Sequence, residues 1–474
     1  MANIVRSTKG AQRTCADSSI IIKADSPHIC GISALAFVLD FHTIYGIILL
    51  EHKNSLEAYM SNAKYRVGER IFMLDCARKY FTPGWVKRLI DEISAVGFNV
   101  INIHFTDEVG HRLESVSFPW LAGGDYTLCT FGAEYGCPEN DGKFFTLDEM
   151  RDIVRYAQSR GMEVLPSFDS PGHMTYAIKK YYEQYGVDLG NYYHKNGKVA
   201  LVQSSGENCE TSQTRFSRGI DISNPEALEF ARALYTEYGK FFRELGCRSF
   251  DIGGDELLGW GNECIDKTVS KWCNLDHWEE YAKKRTGNEN AVAYDAFILY
   301  MNDITALLYS LGYESVRMWN DDVYRMSDTE WRGATEIDKS IDVQYWSPHT
   351  NGGDGTAQFY LDNGHNLYNF ARPYTYYTLY PGERAPSYVT PEAIMKEWNP
   401  YVFAAKDSEC DPGNSTYIFP AFREGNIIEA PNEKVKGAGF CLWTDCPSAE
   451  SEDELLENIR PYFTAIAKKA CGEG

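Results

Sequence analysis

From Arg70 onward the chain repeats one unit: a short apolar run, then an amphipathic stretch of helical period. A chain that alternates strand and helix in this way has few solutions other than a parallel sheet covered by helices. The apolar runs are Ile71 to Leu74, Val100 to Phe105, Val164 to Phe168, Ser249 to Ile252, Val316 to Trp319, Val343 to Trp346, Leu367 to Phe370 and Gly439 to Trp443. Punctuation between them fits helices. Thr82-Pro83 opens a helix that Gly97 closes, Thr146 caps Leu147 to Ser159 before Gly161, and Pro225 starts a helix to Leu245. Eight such units predict an α/β fold of the (β/α)8 barrel type over residues 69–474, preceded by a small α+β region over residues 1–68 with a packing role. In that region Ile29 to Leu50 is long and apolar, but Asp40 and His42 in its middle favour buried strands over a membrane span.

Charge and cysteine content narrow the partners. With 46 basic and 67 acidic residues the net charge is −21, which argues against nucleic acid or an anionic membrane as a partner. Thirteen cysteines without a CxxC pair indicate buried thiols rather than a disulfide framework or zinc ribbon. Met1 to Ser19 shows no apolar signal core, so the default expectation is a cytoplasmic protein, with a secreted one as the alternative.

A barrel of this type collects its chemistry at the C-terminal ends of its strands. Those ends carry Arg78, His104, Asp107, Asp169, His173, Asp255, Glu256, Trp319, Asp321, Trp346, Tyr377, Trp443 and Asp445. The sharpest group is Gly253-Gly254-Asp255-Glu256: two glycines permit close backbone approach, and adjacent carboxylates can take separate acid and stabiliser roles. Pro171-Gly172-His173 and Asp107 could extend this pair into an Asp-His-Glu chain that adjusts the proton affinity of Glu256. Trp319, Trp346 and Trp443 on one rim, with Tyr377, suggest a box for the apolar face of a sugar. His104, Asp107 and His111 could be imagined as a metal set, but without HExxH or paired cysteines no metal or cofactor is expected. GxSxG, GxxxxGK[ST] and GxGxxG patterns are absent, which leaves glycoside cleavage as the best match.

The segments RIFMLDCARKYF (70–81), HFTDEVGHRL (104–113), FDSPGH (168–173) and DIGGDE (251–256), in this order, resemble glycoside hydrolase family 20, the β-N-acetylhexosaminidase family. The resemblance implies Glu256 as general acid/base and Asp255 as the residue that orients the substrate's own 2-acetamido group. That group would attack the anomeric carbon and give an oxazolinium intermediate, the substrate-assisted retaining route. It also implies that Arg78 grips sugar hydroxyls, Asp107 and His173 support Glu256, Tyr377 bonds the acetamide oxygen, and Trp319, Trp346 and Trp443 wall the pocket. The implied partner is a glycan ending in a β-linked N-acetylhexosamine, cut as a single sugar. Departures from the family pattern fall at Asp251 (often His), Ser167 (often Glu), His111 (often Trp), Asp445 (usually Glu) and Leu379 (usually an acid). Asp445 and Leu379 look like the lacto-N-biosidase branch, which removes a Gal-GlcNAc disaccharide. A catalytically inactive glycan-binding barrel is the alternative of another class. Inserts at Trp120 to Phe145, Met174 to Gly219 and Leu257 to Val292 follow strands two, three and four and are expected on the catalytic face.

Overall fold

The computed structural model describes residues 63–128, 141–195, 198–201, 216–257, 275–320, 322–324, 333–346, 355–380, 387, 389–403 and 425–473. The readings made on residues 1–62 and on Asp321 lie outside the described residues. Tyr65–Gly474 form one unit.

Eight parallel strands close into a barrel: β1 (Glu69–Asp75), β2 (Val100–His104), β3 (Glu163–Ser167), β4 (Ser249–Asp251), β5 (Ser315–Trp319), β6 (Ile341–Tyr345), β7 (Leu367–Asn369) and β8 (Val435–Trp443). Closure is the parallel pairing of β1 with β8, from Glu69↔Gly437 to Leu74↔Leu442. The near-continuous apolar character of each run follows from burial on both faces. In β1, Ile71 and Met73 point into the barrel with Val100, Leu165, Phe370 and Cys441, while Phe72 and Leu74 pack outward under the helices. Gly439 is needed for this interior, because a Cβ there would stand 2.2 Å from the Phe370 ring that crosses it.

The helices sit where the sequence places them. In α1 (Pro83–Ala95) the Thr82 hydroxyl accepts the Trp85 amide and Trp85, Val86, Leu89, Ile90 and Ile93 form the buried face. α2 (Leu147–Ser159) opens on a reciprocal capping box between Thr146 and Glu149. From the β3 side come α3 (Thr175–Tyr185) and α4 (Pro225–Glu244), and from the β4 side α5 (Asp276–Thr286) and α6 (Ala293–Ser310). Cys76, Cys247, Cys441, Cys446 and Cys471 are free thiols. No helix among the described residues is long and apolar enough to cross a membrane.

Among the described residues, a ninth strand of the barrel sheet was not visible in the periodicity. After β7 the chain turns and returns as Tyr376–Thr378, pairing in parallel with the last residues of β8 (Tyr376↔Cys441, Tyr377↔Leu442, Thr378↔Trp443). The nine residues of β8 are long enough to pair with β7 at one end and this segment at the other.

Candidate active site

At the C-terminal end of the barrel a pocket opens with about 520 Å³ of empty space including its mouth. Arg78, His173, Asp255, Glu256, Trp319, Trp346, Trp443 and Asp445 all line it, together with Arg372, Tyr376, Thr378 and Tyr380.

Two tight turns bring the ionisable groups together. After β4 the backbone runs through Gly253 and Gly254 at φ of +65° and +85°, a region glycine enters without steric cost. A Cβ on Gly253 would lie 1.9 Å from Asp169 Oδ1, and one on Gly254 would lie 2.7 Å from Met301 Cε, so no larger residue leaves this turn in place. After β3 the Pro171-Gly172-His173 turn abuts it: a Cβ on Gly172 would stand 2.9 Å from Asp255 O. His173 and Glu256 both hold left-handed backbone, φ 51° and 44°, which for residues bearing a Cβ is strained by roughly 1–3 kcal/mol each. These are the two side chains whose direction the turns set.

His173 is the hub. Its Nδ1 lies 2.8 Å from Asp107 Oδ1, and its Nε2 lies 3.4 Å from Asp255 Oδ2 and 3.8 Å from Glu256 Oε2. Burial and the neighbouring Arg218 oppose a charged imidazole, but the ionised Asp107 and Asp255 outweigh them and hold it well above the ordinary histidine value. Asp107 is anchored in turn by Arg78 Nη1 at 2.8 Å and His104 Nε2 at 2.9 Å. Burial alone would raise its carboxyl, but Arg78, His173 and His104 keep it well below the usual range.

Asp255 and Asp169 behave oppositely. Burial works against ionised Asp255, but the charge and hydrogen bond of His173 and a hydrogen bond from Asp169 bring it down to about 2. Asp169 is pushed well above the carboxylate range by burial and by the Asp255 charge, so it carries the proton that bonds the two. Its Oδ1 also accepts the Gly254 amide at 3.1 Å. Asp445, buried beside Asp75, Glu108 and Asp107, is pushed up to about 6 against the pull of Arg78.

The aromatic wall is continuous. Trp319 and Trp443 ring centroids are 6.1 Å apart, Tyr376 and Trp443 5.9 Å, and Trp346 stacks on Tyr376 at 6.2 Å and 11°.

Tyr377 is a correction. Its hydroxyl bonds Glu450 Oε1 at 2.9 Å and its ring packs among the outer core, away from the pocket. Side chains alternate along a strand, so the pairing with β8 that aims Tyr376, Thr378 and Tyr380 into the pocket aims Tyr377 and Leu379 out of it. Thr378, rather than Leu379, therefore stands in the pocket two residues after the tyrosine. His111 does not join His104 and Asp107 in a metal set: it is buried in the core at 2.6 Å from Tyr238 Oη, and burial brings its pKa down to about 3. The departure at Asp251 has a local use, since its carboxylate accepts from Asn102 Nδ2 at 2.9 Å and from the Gly253 amide at 3.1 Å. Sequence reasoning missed Arg218 altogether. It ends the insert after α3, and its Nη2 reaches Glu256 Oε2 at 2.9 Å; no signal in the neighbouring sequence marks it.

A (β/α)8 barrel whose strand ends bring adjacent carboxylates under a box of indoles is the architecture of a sugar-cleaving hydrolase. The family model described as the catalytic domain of glycosyl hydrolase family 20 matches residues 69–470, and the chain belongs to that family. A lacto-N-biosidase of Bifidobacterium bifidum is 24% identical over 316 residues, covering 67% of this chain and 22% of that protein. β-Hexosaminidase subunit A1 of Dictyostelium discoideum is 25% identical over 275 residues, covering 58% of this chain and 42% of that protein. The chain thus spans less than half the length of these curated relatives. Among solved structures, that of dispersin B matches with a TM-score of 0.57 at 21% identity, covering 85% of this chain and 99% of that one, a likeness of fold.

Proposed function

We propose that the chain is a retaining exo-β-N-acetylhexosaminidase that releases terminal β-linked GlcNAc or GalNAc from glycans by the substrate-assisted route. The observation that carries this is the pair Asp255 and Glu256, neighbours on one turn in unlike settings. Asp255 is buried and held ionised between His173 and Asp169, suited to orient the acetamido N–H and to stabilise the positive charge of the oxazolinium. Glu256 is partly exposed at the pocket, where it protonates the glycosidic oxygen as the acetamido oxygen attacks C1, then takes a proton from the water that opens the ring. His173 and Asp107 position this pair. Arg78 meets sugar hydroxyls, and Trp319, Trp346 and Trp443 cover the apolar sugar face.

The acetamide oxygen falls to Tyr376, the tyrosine of the Tyr376–Thr378 segment that lines the pocket. Tyr376→Phe is expected to lower kcat/KM on an aryl β-GlcNAc roughly 10- to 100-fold, the loss of one buried hydrogen bond to substrate. Tyr377→Phe should leave kcat/KM near wild type and lower stability by about 1 kcal/mol through the lost Glu450 bond. Kinetics and thermal unfolding of the two variants check this, and the reverse ranking would return the role to Tyr377.

Asp445 gives the binding step a pH dependence. With its pKa pushed up to about 6, it is an ionised acceptor for sugar hydroxyls at pH 7 and becomes protonated as pH falls through that value. KM is expected to rise roughly three- to tenfold from pH 7 to pH 5, and Asp445→Asn should show a high KM that is flat over this range. A wild-type KM that is equally flat would remove Asp445 from hydroxyl recognition.

A second reading, lacto-N-biosidase, is favoured by Thr378 and Asp445. Both are shorter than the acids usual at these places and leave room on the hydroxyl side of the pocket, towards Arg372 and Tyr380. Release of aryl alcohol from β-GlcNAc, with the β-linked lacto-N-biose glycoside in parallel, separates the two. Cleavage of the single sugar with a retained β-anomer supports the exo-hexosaminidase, cleavage of the disaccharide alone supports the second reading, and silence on both points to a glycan-binding barrel.

A further inference from the structure

Arg218 is buried, 6% exposed, in the wall of the cleft, with a single Nη2 atom facing three groups. That atom lies 2.9 Å from Glu256 Oε2, 2.7 Å from His173 Nε2 and 3.7 Å from Glu108 Oε2, while Nε is buried without a hydrogen-bond partner. Burial and the like charge of His173 both work against this guanidinium, and Glu108 and Glu256 are the carboxylates that offset them. We propose that Arg218 is a positioning residue for Glu256: its guanidinium favours the ionised carboxylate, lowers the pH at which the acid gives up its proton, and so sets the upper pH limit of the reaction. The inference rests on Glu256 being the general acid.

Two cationic side chains stand at the Glu256 carboxylate, Arg218 from the insert after α3 and His173 from the turn after β3; behind them Glu108 faces both, at 3.7 Å from Arg218 and 4.0 Å from His173, and Asp107 and Asp255 face His173. Arg218 Nη2 stands within hydrogen-bond distance of its carboxylate, at 2.9 Å. An opposite charge within hydrogen-bond distance favours the ionised form, so the acid loses its proton at a lower pH than it would without Arg218. The same charge favours the base form that the second step needs. Arg218 thereby trades proton supply to the leaving oxygen for readiness to activate water.

The test is kcat/KM against pH on an oligosaccharide with an unactivated terminal β-GlcNAc, since the basic limb of that profile reports the acid of the free enzyme. Arg218→Gln is expected to move the basic limb up by about one pH unit, and Arg218→Lys, which keeps the charge, to leave it within a few tenths. Glu108→Gln removes the carboxylate that competes with Glu256 for Arg218, while Asp107 and Asp255 still hold His173 charged; the limb should move down. Shifts of opposite sign are not what a general loosening of the cleft produces. If Arg218→Gln does not fold, the downward shift in Glu108→Gln carries the test. A uniform drop in rate with the limb in place in these variants overturns the inference. Glu256→Gln in the same series separates the two levels: a basic limb that survives in it overturns the acid assignment itself, whereas a limb lost there but unmoved by Arg218 and Glu108 variants overturns only the role of Arg218.

Discussion

Glu256→Gln is expected to lower turnover of an unactivated β-GlcNAc glycan by roughly 10²- to 10⁴-fold while leaving substrate binding within a few-fold of wild type. The amide keeps the shape of the side chain and can still hydrogen-bond, but it has no proton to give to a departing alkoxide. The loss should shrink sharply on aryl glycosides, whose phenolate leaves without help, and this dependence on leaving group marks a lost acid more clearly than the size of the defect. Thermal unfolding should be little changed: Glu256 is partly exposed, and Arg218, though it loses a charged partner, retains Glu108. Paired measurements of kcat on the two substrate types, with binding of free GlcNAc as control, decide it. A near-normal rate on the unactivated glycan would falsify the assignment of Glu256 as acid.

The sequence carries the barrel well because each barrel strand is buried on both sides and so reads as an apolar run, and because the helices announce their starts through Thr82-Pro83, Thr146 and Asn224-Pro225. The Asp255 and Glu256 turn was legible for a related reason: Gly253 and Gly254 are forced by contacts with Asp169 and Met301, and forced glycines show in a sequence. What was not legible depends on parity or on long-range closure. A Tyr-Tyr doublet does not say which ring faces inward; the pairing of Tyr376–Thr378 with the end of β8 does, and a three-residue strand has too short a period to be seen. Asp169 was visible as a strand-end acid, but its partnership with Asp255 exists only because two turns from different strands meet. Arg218 is reached across the insert that begins at Met174, and nothing local to Ser217-Arg218-Gly219 distinguishes it from a surface arginine.

Asp255→Asn tests the other half of the chemistry and should show a different signature. Removing the charge takes from His173 one of the two ionised carboxylates that hold it protonated, Asp107 being the other, and removes the reason Asp169 keeps its proton. More directly, the positive charge of the oxazolinium loses the anion placed against it. Deleting one preorganised electrostatic partner of a developing charge lowers rates roughly 10²- to 10³-fold, and that is the loss expected in kcat/KM on β-GlcNAc glycosides. The decisive readout is selectivity. Wild-type enzyme should strongly prefer the 2-acetamido sugar over the 2-hydroxy analogue, because only the former supplies its own nucleophile; in Asp255→Asn the preference should collapse, as the acetamido substrate alone depends on this carboxylate. Glu256→Gln should instead slow both sugars alike when the leaving group is poor. If Asp255→Asn depresses both sugars equally and keeps the preference, Asp255 acts on the scaffold of the turn rather than on the acetamido group, and the substrate-assisted route loses its support at this residue.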